Sequence, residues 1–352
     1  MTPTWLRLRE DPDLLPTYLA RARVIKAIRA FFDARGFEEV ETPLLVAAPG
    51  MEPYLDVFET RLTTARGEAH RAFLATSPEY AMKKLLVAGL PRIYQVCKSF
   101  RNGEEIGRGH NPEFTILEWY RAHADYVAIM NDCEHLLQTI WRALNPDAPR
   151  DQTPTVTVGA TAVSLASPWE RITVRDAFAH YAGLDLDTTE TETAMRAALR
   201  ARGYQAMDGT TWEQGYHQLF LNEIEPHLGT PRPTILYDYP TSLAALARRK
   251  TDDPRYAERF EFYIAGVELG NAFSELTDAD EQHARLIAEQ AERRVLGRTM
   301  YDVDTDFIAA LRVGMPPSGG IAVGVDRLVM LFAGAAAIQE TLWFPAGELF
   351  PS

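Results

Sequence analysis

The chain has 352 residues, 46% of them hydrophobic, enough to bury a substantial core in one large domain or two modest ones. Its 49 acidic against 36 basic residues give a formal charge of -13, which argues against a broad, nonspecific grip on nucleic acid, because such binding rests on many phosphate contacts. Cys97 and Cys133 are too few for a disulfide framework and lack the paired spacing of a structural zinc site. The first residues contain no unbroken apolar run that would read as a secretory signal or membrane anchor. The expectation is a cytoplasmic enzyme with two free thiols and no membrane association.

Pro16 to Asp33 sets Leu19, Val24, Ile25, Ile28, Phe31 and Phe32 among charged residues at helical spacing, with Gly36 as a stop, and predicts an amphipathic helix. Phe37 to Val46 reads as a strand interrupted by Pro43, suited to an edge or an interface. Ala72–Thr76, Arg92–Cys97 and Phe114–Tyr120 are short strand candidates, with a helix over Pro78–Ala88 and antiparallel pairing around a glycine-rich bend. TVTVGATAVSL alternates around a central glycine like a hairpin. It lies in a stretch, about 145–230, read as an accessory segment within a single domain over 1–352.

Helical patterns follow near Val174–Tyr181, Thr191–Arg202 and Thr211–Glu225, then a strand-like Ile235–Tyr239 and a strand pair within Phe260–Glu275. The acidic run after Thr277 introduces a helix through Arg294. Gly319–Val325 is a glycine-rich strand leading into a helix near Asp326.

The chemistry is densest between Phe100 and Tyr120, FRNGEEIGRGHNPEFTILEWY, which gathers two arginines, four acids, a histidine and four aromatics around that bend. Arginines offer planar donors for phosphate, acids read amino groups or hold metal, and aromatic faces receive a purine ring. The combination points to a nucleotide site.

The proline-bearing strand after the first helix, the Phe100–Tyr120 segment and GGIAVGVDRLVM at Gly319–Met330 resemble motifs 1, 2 and 3 of class II aminoacyl-tRNA synthetases. TSPEYAMKKLL, FRN, RGHNPEFTILEWY and VELGNAFSELTD are similar to the lysyl branch, and the resemblance runs from about Arg21 to Phe344. It implies an α+β fold, a mainly antiparallel sheet flanked by helices, with motif 1 at a homodimer interface. About twenty residues precede motif 1, too few for the N-terminal OB-fold that carries anticodon recognition in lysyl-tRNA synthetases. The reduced architecture resembles stand-alone paralogues that activate lysine, preferably (R)-β-lysine, and transfer it to a lysine side chain of elongation factor P, with tRNA not expected as a partner.

The resemblance also implies roles. Arg101 should bridge the amino-acid carboxylate and the α-phosphate of ATP, and Arg327 should lie near the γ-phosphate and one face of adenine, with Phe114 on the other. Glu104 or Glu105 should receive the adenine amino group, the choice left open by Gly103, which interrupts the family's usual FRNEE. His110 should approach the distal phosphates, while Asn102, Asn111, Leu269 and Gly324 complete the ATP site.

Glu268 and Glu275 are expected to hold Mg2+, with Asn271 in support. Ser77, Pro78, Glu79, Glu118, Tyr120 and Glu275 should form the lysine pocket, Glu79 near the amino-acid head and Glu118 with Tyr120 at the side-chain end. Ala322 replaces the glycine usual in lysyl-tRNA synthetases, and one methyl reshapes a tight pocket. Two other functions fit the same motifs: a truncated lysyl-tRNA synthetase or amino-acid ligase using tRNA or another acceptor, and a noncatalytic regulatory paralogue. The resemblance nominates no general base.

Overall fold

The computed structural model describes residues 2–104 and 106–350. Its centre is an eight-stranded sheet, in the order Glu38–Glu39, Arg92–Phe100, Glu113–Ala122, Ser318–Gly324, Val267–Ser274, Tyr256–Ile264, Thr234–Pro240 and Glu170–Thr173. The six inner strands pair antiparallel, and the two edge strands are parallel to their neighbours. No helix among the described residues is long and apolar enough to cross a membrane.

One face of the sheet is closed by the helices Leu15–Asp33 and Tyr126–Leu144. In the first, Val24, Ala27, Ile28, Phe31 and Phe32 recur at helical spacing and are all buried. They meet Leu117 and Trp119, alternate residues of the strand Glu113–Ala122, while Ile116, Glu118 and Tyr120 face a cavity on the opposite side. Phe32 stacks on Tyr94 at 4.6 Å between ring centroids. A separate cluster from Val174 to Tyr263 joins the helices Val174–Tyr181, Glu192–Ala201 and Trp212–Leu219 to the sheet edge.

The expected strand over Phe37–Val46 divides. Glu38–Glu39 joins the main sheet beside Arg92–Phe100, whereas Leu45–Val46 pairs with Ala69–Leu74 in a separate three-stranded sheet. Pro43 lies between them and has no N–H to donate, so no single ladder runs through it. The helix Tyr126–Leu144 was not anticipated, although its signal is plain: Asp125 caps it by accepting from Ala128 N at 3.1 Å.

The three motif segments meet at one buried point. Arg21 from the first helix pairs with Asp326 at the start of the helix Val325–Ala333, and Asp326 also accepts from the backbone N of Thr115 at 2.8 Å. Arg21 Nη1 lies 3.3 Å from Thr115 Oγ1. The side chains of Arg21 and Asp326 are 12% and 4% exposed, so removing one charge strands the other in a dry site. Asp326→Ala is expected to cost about 3–5 kcal/mol of stability, read as a lower urea midpoint.

Candidate active site

The cavity facing the sheet has a volume of about 840 Å³ and is lined by Ser77, Pro78, Glu79, Arg101, Glu118, Tyr120, Glu275 and Ala322 among others. These come from four places: the turn before the helix Glu79–Val87, the two strands flanking the Phe100–Tyr120 bend, the end of Val267–Ser274, and Ser318–Gly324. Strand alternation brings Gly320 opposite Tyr120 and Ala322 opposite Glu118, with Asn271 on the other side of Ala322.

Glu118 is 1% exposed and its carboxylate accepts from Ser77 Oγ at 2.7 Å and Tyr120 Oη at 2.9 Å. Both donors are neutral. Burial and then the Glu79 carboxylate push Glu118 above the usual carboxylate range, against Lys83. Lys83 is 1% exposed and sits between Glu79 and Glu275, with Nζ 2.5 Å from an oxygen of each. Burial opposes its charge, but these two carboxylates outweigh burial and hold its titration above the ordinary lysine value. Glu275 is itself raised, by burial first, with Lys83 opposing. Three acids therefore share the Lys83 ammonium, and the raised titrations of Glu118 and Glu275 show that it does not fully meet them.

Next to this pocket, the Arg101 guanidinium lies over the Phe114 ring at 5.1 Å and 3.9 Å from Glu104. Arg327 donates to the carbonyl O of Glu268 at 2.7 Å, and its Nη2 is 3.1 Å from His110 Nε2. Asn111 is buried, donating to Glu113 O at 2.6 Å and accepting from Ala346 N at 2.9 Å, so it ties the bend to the C-terminal helix. Asn102 anchors the other side of the bend through its N–H to Asp56 O at 2.9 Å. Gly103 has φ +71, and a Cβ there would lie 3.0 Å from Asp56 Oδ2, so the extra residue is accommodated as a glycine turn. Glu105 lies outside the described residues. Leu269 is buried in the core, and Gly324 packs against the stem of Arg327.

Glu268 and Glu275 are not brought together. Glu268 is the second residue of the strand Val267–Ser274 and Glu275 follows its end, so seven residues at about 3.3 Å each put their backbones roughly 23 Å apart, or a little less with the bulge, too far for one ion. The acid beside Glu268 is Glu261, across the hairpin. Tyr263 is paired with Glu268, Glu261 is two residues along the same strand face, and the bulge at Leu269 turns Glu268 onto that face. Burial and then the Glu261 charge push Glu268 up, against Arg327.

Glu261 was not anticipated from the sequence, nor was Arg259, which donates to Glu261 Oε1 at 2.6 Å and Asn271 Oδ1 at 3.1 Å. Their signal was the alternation of RFEFYI, which projects Arg259 and Glu261 to one face. Lys83 was visible only as part of a helical run. Among the described residues no three His, Cys, Asp or Glu side chains converge as a metal site. A Glu261–Glu268 pair still fits Mg2+, which takes one or two carboxylates and fills the rest of its octahedron with phosphate oxygens and water.

A family model described as tRNA synthetases class II (D, K and N) matches residues 1–348. The chain belongs to that family. Among class II relatives it is 38% identical over 347 residues to lysine–tRNA ligases from two strains of Dehalococcoides mccartyi, BAV1 and CBDB1. That match takes 97% of this chain and 66% of theirs, so the chain spans just under two thirds of those relatives. It is 40% identical over 345 residues to an elongation factor P–(R)-β-lysine ligase from Enterobacter sp. strain 638, covering 97% of this chain and 98% of that one.

Gly320 shows how closely the pocket is built, since a Cβ there would lie 2.3 Å from the Tyr120 ring and 2.5 Å from Glu275 Oε1. Gly320→Ala is expected to cost about 1–3 kcal/mol by urea unfolding, and a crystal structure of the variant should find Tyr120 and Glu275 displaced.

Proposed function

We propose that the protein uses ATP to activate a lysine, with (R)-β-lysine preferred, as an aminoacyl-adenylate and transfers it to a lysine side chain of elongation factor P. The observation that carries the activation step is the charge balance of the pocket. Glu79, Glu118 and Glu275 share the Lys83 ammonium. The raised Glu118 and Glu275 would be drawn to their charged forms by arriving ammonium groups, which suits a diamino ligand, while Arg101 at the pocket's edge suits its carboxylate. A neutral analogue would leave those carboxylates unpaired, which is a strong basis for rejection.

In this reading Arg101 draws the carboxylate and the α-phosphate together against their mutual repulsion, and the leaving pyrophosphate carries off the electron pair of the broken P–O bond. Phe114 and Arg327 take the two faces of adenine, and Glu104 is the described acid available to its amino group. His110, with Arg327, receives the distal phosphates. Glu261 and Glu268 hold Mg2+, which neutralises phosphate charge, and Asn271, fixed by Arg259, lies beside them.

Elongation factor P as acceptor is supported by the ligase relative that matches this chain almost end to end. The similarity to lysine–tRNA ligases favours a second reading, in which the acceptor is tRNA. Two further elements are proposed with the first reading: a homodimer through motif 1, and action in the cytoplasm.

Mixing the protein with ATP, Mg2+, labelled α- or (R)-β-lysine and either elongation factor P or tRNA should add one aminoacyl mass to the protein acceptor, larger in yield with the β isomer. Charging of tRNA with no change in elongation factor P would sink this reading in favour of the second. Arg101→Ala should lower ATP–pyrophosphate exchange by roughly 10²–10³-fold, the loss seen on removing one preorganised donor, with an unaltered circular dichroism spectrum.

A further inference from the structure

The cavity extends beyond the lysine pocket, outward between the loop 50–55, the helix Trp212–Leu219 and the helix Ala279–Val295. The loop's backbone is pinned. Met51 N donates to Tyr80 Oη at 3.1 Å, Tyr301 Oη donates to Gly50 O at 2.8 Å, and fully buried Arg293 donates to the carbonyls of Glu52 and Leu55. The carboxylate of Glu52 has no hydrogen bond or ion pair with any described residue, yet it lines the cavity within the fields of Arg101, Glu79, Arg293 and Arg259.

A rigid backbone thus holds an uncommitted carboxylate in the same cavity as the arginine expected to hold the reacting carboxyl. The Glu52 side chain is exposed to solvent in the open cavity, although its enclosure among protein atoms first, and then Glu79, raise its titration, with Arg101 opposing. At the rim, Tyr54 Oη donates to Glu292 Oε1 at 2.8 Å and lies 3.3 Å from Glu213 Oε2, so one phenol proton links three elements. Beside the same cavity, the buried hydroxyl of Tyr216, a residue 1% exposed, and the buried Oε2 of Glu289 have no hydrogen-bond partner among the described residues.

Resting on the function proposed above, we propose that Glu52 is the general base of the transfer step, reached by the acceptor lysine of a cationic protein segment that enters past Tyr54, Glu213 and Glu292. A lysine amine with a pKa of about 10.4 arrives protonated and cannot attack. Glu52 accepts one proton from the ammonium, and the freed lone pair forms the bond to the carbonyl carbon of the adenylate. The C–O bond to the α-phosphate breaks, its electron pair leaves on AMP, and the second proton lost by the nitrogen passes to solvent. Glu79, Glu118 and Glu275 are already committed to Lys83 or to hydroxyl donors. Glu52 is not.

The test separates the half-reactions. With Glu52→Gln, single-turnover transfer from preformed adenylate to elongation factor P should fall by roughly 10²-fold, the usual worth of a general base. Exchange of pyrophosphate should fall far less, as should capture of the adenylate by hydroxylamine, a nucleophile that is unprotonated at neutral pH. Glu292→Gln, at the rim, should raise the KM for the protein acceptor several-fold more than the KM for lysine, a readout that survives if Glu52→Gln fails to fold.

Equal losses in exchange and transfer, or a raised amino-acid KM confined to exchange, would overturn the assignment of Glu52 while leaving the proposed activity standing. Unsubstituted protein that exchanges normally but never modifies elongation factor P would overturn the activity and this inference together.

Discussion

The buried pair of Arg21 and Asp326 is the constraint on which the site depends. It joins the first helix, the strand after the glycine-rich bend and the last motif helix, segments separated by 94 and 305 residues in sequence. Asp326 is next in the chain to Arg327, and Thr115 next to Phe114, so the two residues expected to enclose adenine are each one residue from the knot. Replacing such a pair by apolar residues is often neutral for stability. Its worth here is positional, because a guanidinium fork and a carboxylate accept only a narrow set of geometries.

The cavity is built at the expense of stability in a second way. Glu118 and Glu275 are almost fully buried, and among the described residues Lys83 is the ammonium that pairs with Glu275 and Glu79 there. A carboxylate in so dry a place is costly unless charge and hydrogen bonds meet it. Ser77 and Tyr120 supply hydrogen bonds to Glu118 but no positive charge. Under the proposed function the missing charge arrives with the substrate, so ligand and fold share a free energy, and a bound diamine stabilises the folded state by mass action.

Much of the fold was legible because the signals were local. Alternation in Phe114–Tyr120 and helical spacing in Pro16–Asp33 each read out elements whose observed bounds, Glu113–Ala122 and Leu15–Asp33, differ little. Pairings were less legible. The partner of Glu268 was sought along its own strand, where Glu275 repeats the residue type, whereas the hairpin and the Leu269 bulge put Glu261 beside it. A bulge changes the face of a residue without leaving a mark in composition. Glu52 and Tyr216 carried no signal at all, since one sits in a loop held by distant Arg293 and the other on a helix whose packing alone turns it toward the cavity.

Gly320 and Ala322 lie two apart on one strand and face the same cavity, yet they are under different constraints. Gly320 has no room for a side chain because the Tyr120 ring and Glu275 Oε1 fill the space a Cβ would take. Ala322, between Glu118 and Asn271, already carries its methyl into the pocket. The strand can therefore narrow the pocket at 322 but not at 320. Under the proposed function, narrowing there would fall between Glu118, which would meet one ammonium, and Asn271 beside the reacting end. α- and β-lysine keep the same charged groups and differ in where an amino group sits along the carbon chain. Discrimination between them has to come from shape, and position 322 is where the strand can change shape without disturbing Glu118, Tyr120 or Glu275.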